Sequence, residues 1–88
     1  MILKMYSVFD TKVEAYMAPF TSPTHGSAIR AFTDTVNDES TTLGAHPEDY
    51  TLFYLGDFNQ QDGTLEAALT PMALTKGNEV VIPQQEIE

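Results

Sequence analysis

Cysteine is absent from this 88-residue chain, so neither a disulfide staple nor a thiolate metal site can form. A chain this short buries only about 60–65% of its unfolded surface, which leaves a marginal monomer. Stability must therefore come from a compact core or from self-association, and self-association is the expectation. A cytoplasmic setting is consistent with the missing cysteine. Cations are also scarce: four Lys and Arg stand against thirteen Asp and Glu, a formal net charge of −9. That surplus opposes approach to phosphate backbones, anionic lipid and other polyanions. No apolar run approaches the roughly 20 residues that span a bilayer. The start, Met1-Ile2-Leu3-Lys4-Met5, does not read as a basic leader before an apolar signal segment. The chain therefore reads as neither secreted nor membrane-inserted, with no membrane partner.

The charge is uneven. Residues 1–45 carry three cations (Lys4, Lys12, Arg30) and five anions, a net of −2, whereas residues 46–88 carry Lys76 and eight anions, a net of −7. Any surface that tolerates a nucleic acid should come from the first half.

Apolar spacing predicts the elements. Residues 3–9, with Tyr6, Val8 and Phe9, read as a strand, followed by a turn at Asp10-Thr11-Lys12. Residues 13–18 read as a returning strand that Pro19 and Pro23 end, because proline removes a ladder hydrogen bond. Thr21, Ser22 and Thr24 offer capping oxygens, so a main helix is expected over about residues 24–37. Ile29, Phe32 and Val36 share one stripe of it, and Arg30, Asp34 and Asn37 lie off that stripe. Residues 37–45 are rich in turn formers and read as an exposed, mobile loop. Residues 50–58 form the strongest strand, apolar on both faces and so central. Asp62-Gly63 closes a hairpin onto residues 64–69. Residues 71–74 read as a short turn or helix, 79–82 as a brief strand, and 83–88 as a frayed acidic tail. With no repeat and no long linker, residues 1–88 make a single α+β domain: an antiparallel sheet of about three to five strands covered by one main helix.

No catalytic grouping is visible. His25 and His46 are the only imidazoles, and a metal site would need them to converge with Glu48 or Asp49. Placed just before a strand, Glu48 and Asp49 should point to opposite faces and so charge the strand entry rather than share a proton. No metal or cofactor is expected. There is no nucleophile elbow and no glycine-rich phosphate loop.

Three segments, residues 6–20 (Tyr6-Ser7-Val8-Phe9 through Pro19-Phe20), residues 28–34 (Ala28-Ile29-Arg30-Ala31-Phe32-Thr33-Asp34) and residues 46–56 (His46-Pro47-Glu48-Asp49-Tyr50 through Gly56), together resemble the small nonstructural protein of gokushovirus-type single-stranded DNA bacteriophages. The likeness runs in order, with similar gaps, from about Leu3 to Phe58. It implies a non-enzymatic accessory protein made in the infected bacterial cytoplasm, absent from the mature virion and tied to synthesis or packaging of a single-stranded genome. No catalytic residues carry over.

The leading expectation is a homo-oligomeric adaptor that contacts viral or host replication or procapsid proteins, since an acidic surface suits basic protein partners. Its apolar interface should come from Tyr50, Leu52, Phe53, Tyr54 and Phe58, or from the first strand, because one helix cannot cover so many large apolar groups. The alternative is a single-stranded DNA-binding module in which Lys4, Lys12 and Arg30 meet phosphates while Tyr6 or Tyr16 stacks on bases.

Overall fold

Alternating apolar side chains over the first ten residues build the strand β1 (Ile2–Asp10), the hub of an antiparallel sheet. A computed structural model describes residues 1–82 of the chain. The acidic tail expected over residues 83–88 lies outside the described residues. After a turn through the left-handed Glu14 (φ 56°), β2 (Ala15–Tyr16) returns along β1, with Phe9 opposite Tyr16. Pairing lapses at Pro19 and then resumes on the same edge as β3 (Phe20–Ser22), with Tyr6 opposite Phe20. The returning strand is thus shorter than expected but continues beyond the proline. An edge strand tolerates a missing amide that an interior strand does not.

The helix α1 (His25–Val36) starts where the hydroxyls predict. Thr24 Oγ1 accepts the Ser27 amide at 3.1 Å, and the Ser27 hydroxyl accepts the Thr24 amide at 3.3 Å, a reciprocal cap for two free donors. Ala28, Phe32 and Val36 are buried, Ile29 is half-buried and Arg30 is exposed. At the other end, the Asn37 amide nitrogen donates to the carbonyls of Thr33 and Val80, while its oxygen accepts the Ile82 amide at 2.7 Å. That clamp holds residues 80–82 to the helix, where a strand was expected.

Residues 37–45 also depart from expectation. They form a tight turn and the short helix α2 (Thr42–Ala45), whose Leu43 enters the core at 6% exposure. Thr41 Oγ1 donates to the Thr35 carbonyl and accepts the Gly44 amide. A Cβ at Gly44 would collide with the Asp38 carbonyl, so only glycine fits that approach.

The strand β4 (Tyr50–Asn59) lies between β1 and β5 (Leu65–Lys76), the central position its two apolar faces predict. Gly63 closes the hairpin at φ 76°, the left-handed conformation expected of Asp62-Gly63. β5 runs on through Pro71 instead of turning. Between the pairs Tyr54–Met72 and Gly56–Ala67, four residues of β5 face only Leu55, so a wide bulge carries Pro71 and the fully exposed Leu69 on the sheet edge. The result is a five-stranded α+β sheet with one main helix on one face. Tyr6, Val8, Tyr50 and Leu52 meet Ala28, Phe32, Val36 and Leu43 in the core between them.

Candidate interaction face

The registers sort the sheet residues onto two faces, because directly paired residues in an antiparallel sheet point the same way. Tyr6 pairs with Tyr54 and Val8 with Leu52 on the helix side. Ser7 then pairs with Phe53, Phe9 with Thr51, and Leu3 with Phe58 on the side that carries no helix. Leu65 follows Phe58, Ala67 follows Gly56 and Met5, and Lys76 follows Thr51 on that same side.

An aromatic cluster forms at one end of this open face. The ring centroids of Phe9 and Tyr16 are 4.9 Å apart, those of Tyr16 and Phe53 5.5 Å, and those of Phe9 and Phe53 6.4 Å, all at steep interplanar angles. Edge-to-face packing of this kind fixes the rings mutually without a layer above them. Tyr16 remains 46% exposed, while Ser7, in register with Phe53, is buried.

At the other end lies a shallow apolar hollow of about 180 Å³, lined by Met5, Leu55, Gly56, Leu65 and Ala67, with Asp57 and Glu66 completing its wall. Gly56 makes the hollow possible. Its φ of 149° is a glycine conformation, and a Cβ would strike the Glu66 carbonyl.

The nucleic-acid set read from the sequence does not converge. Tyr6 is fully buried on the helix side, stacked on Phe20 at 5.6 Å, and its hydroxyl is hydrogen-bonded to His25 Nδ1 at 2.8 Å. It cannot stack on a base, which corrects that expectation. Lys4 shares the Tyr6 side of β1 and pairs in register with Asp57. Lys12 sits in the β1–β2 turn and Arg30 on the exposed surface of α1. Of the five, Tyr16 alone reaches the open face, where it joins Phe9, Phe53 and Lys76.

The interface set divides by the same alternation. Tyr50 and Leu52 are 7% and 0% exposed in the chain's own core and cannot meet a partner, which corrects their assignment. Tyr54 is half-buried on the helix side, its hydroxyl donating to Asp57 Oδ1 at 2.6 Å and its ring 4.9 Å from that of His25. That hydrogen bond to a carboxylate, followed by burial, pushes the Tyr54 hydroxyl up to about 12. Phe53 and Phe58 lie on the open side, where the first strand adds Leu3, Met5 and Phe9.

Glu48 and Asp49 do not diverge as strand residues would. They occupy a single 3-10 turn, Pro47–Asp49, and their carboxylates lie with the His46 imidazole so that the three ligand-type atoms are within 4.8 Å of one another. His25 is elsewhere, against Tyr6 and Tyr54. Among the described residues no helix is long and apolar enough to cross a membrane.

The family model described as Phage ORF5 protein matches residues 3–80. Protein ORF5 of Chlamydia phage 1 is 36% identical over 62 residues, a stretch covering 66% of this chain and 65% of that relative, just under two thirds of its length. Neither description states an enzymatic activity. No solved structure matches the chain.

Proposed function

The chain belongs to the Phage ORF5 protein family of gokushovirus-type bacteriophages, and on that premise we propose that it is a non-enzymatic accessory protein of single-stranded genome synthesis or packaging. It acts as a homo-oligomeric adaptor for viral or host replication or procapsid proteins, in the host bacterial cytoplasm, and is left out of the mature virion. The observation that supports this reading is the apolar side of the sheet that carries no helix, on a chain of charge −9. An apolar face of this extent is what protein contacts use. The acidic remainder attracts basic protein surfaces and repels phosphates. Deleting the gene should stall single-stranded genome accumulation or encapsidation, and normal yields from the deletion would overturn the assignment.

A second reading is favoured by one row of the open face, in which Tyr16, Phe9, Thr51 and Lys76 follow one another across the strands. Aromatic rings beside a cation suit an unpaired base and its phosphate. Binding of this kind must weaken steeply with salt because phosphate contacts release counterions. An affinity for single-stranded DNA that barely changes with salt would remove it.

A further inference from the structure

We propose that the open sheet face docks on the same face of a second copy of this chain, the aromatic knob around Tyr16 of each copy entering the Gly56 hollow of the other. This rests on the self-association in the proposed function and assigns it a surface and a geometry.

Three observations converge on that occupant. The first is charge. Among the described strand residues that the registers place on this face, none is a carboxylate and Lys76 is the one charged side chain. Asp57 and Glu66 enter only in the wall of the hollow, so for a chain of −9 this face brings few like charges together when a second copy approaches.

The second is shape. Phe9, Tyr16 and Phe53 form an aromatic group in which Tyr16 is exposed, and the hollow over Gly56 measures about 180 Å³ with a mainly apolar wall to which Asp57 and Glu66 also contribute. A dry cavity of about 150 Å³ is known to hold a benzene ring. A two-fold axis lying between the two sheets, midway between knob and hollow, brings each knob to the other copy's hollow. That is the reciprocal pattern an isologous dimer requires.

The third is the state of the sheet edges. Pro19 interrupts the edge formed by β2 and β3, and the bulge carrying Pro71 interrupts β5. Such devices oppose strand-to-strand addition, so association goes through the face. With β1 and β4 nine and ten residues long at about 3.3 Å per residue, and neighbouring strands about 4.8 Å apart, the face projects roughly 450 Å². Over two copies that is about 900 Å², below the size of a stable interface and in the range of weak, transient ones, so the dimer dissociates on dilution.

The test is light scattering at several hundred micromolar, combined with variants of exposed residues. The wild-type chain should give twice its 9.7 kDa mass. Tyr16→Glu, which charges the knob, and Ala67→Trp, which fills the hollow, should each return the mass to one chain while far-UV circular dichroism stays unchanged. Because the protein has no cysteine, the double variant Tyr16→Cys/Ala67→Cys gives an independent readout. Mild oxidation should link two chains, and neither single variant should do so. A dimer that persists in both charged and filled variants, with no cross-link, overturns this face and leaves self-association standing. A wild-type monomer throughout overturns both. Dimerisation seen only after adding a single-stranded oligonucleotide overturns the inference in favour of the nucleic-acid reading.

Discussion

Tyr6 and Tyr54 lie directly opposite each other across β1 and β4, their ring centroids 5.9 Å apart, yet their hydroxyls take different partners. Tyr6 meets His25 Nδ1 and Tyr54 donates to Asp57. This pair anchors the helix N-terminus to the middle of the sheet and decides which aromatics remain outside. Tyr6 and Tyr54 turn toward α1, whereas Phe9 and Phe53, on the opposite phase of the same strands, stay on the open face.

The Tyr54 bond makes the fold sensitive to alkali. The hydroxyl is held up to about 12, while an unfolded tyrosine ionises at 10.0. Its contribution is therefore whole below pH 10 and is lost as the pH rises through the folded value. Urea midpoints should fall between about pH 10 and 12, and Tyr54→Phe should flatten that fall. Tyr6, raised first by burial and then by Asp57, leaves a residual slope in the variant. Identical slopes in wild type and variant would contradict the assignment.

Removing only the Tyr6 hydroxyl tests the anchor. Tyr6→Phe keeps the ring against Phe20 but strips His25 Nδ1 of its partner, at a cost of about 1–2 kcal/mol. Equilibrium urea unfolding reads this directly. A change within about 0.3 kcal/mol would show that the bond contributes nothing net.

Leu43 carries the packing of the segment between the helix and β4. Leu43→Ala should destabilise the protein by about 2–4 kcal/mol, as loss of a buried leucine does. A loss below about 0.5 kcal/mol would mean that residues 37–45 behave as an exposed loop after all.

Gly56 is the strictest backbone position of the open face. Gly56→Ala forces a methyl toward the Glu66 carbonyl at φ 149°, and should cost about 1–3 kcal/mol through strand displacement. A fully stable alanine variant would show that the β4–β5 bulge relaxes freely.

Much of this architecture was legible locally. Thr24 and the Ile29, Phe32, Val36 stripe predict α1 because capping and helical periodicity act within a few residues. Two-sided apolarity marks β4 as central for the same reason. Leu43 was illegible because one apolar residue in a polar segment has no period. The continuation of β5 through Pro71 was illegible because the tolerance of a proline depends on which strand lies at the edge, a tertiary fact. The candidate face was half legible. Alternation says that Tyr6 and Phe9 point oppositely, but not which of them the helix covers, so the sequence alone leaves Tyr6 available to the surface. The directions of Glu48 and Asp49 are not legible in the sequence because a 3-10 turn, not a strand, sets them.

The central claim is that surplus negative charge makes proteins, not phosphates, the counterparts of this chain. Fluorescence anisotropy of a labelled single-stranded oligonucleotide, titrated with purified protein at low salt, tests it most directly. The account predicts no saturable rise up to tens of micromolar protein; tight capture that fades steeply as salt is added would contradict it.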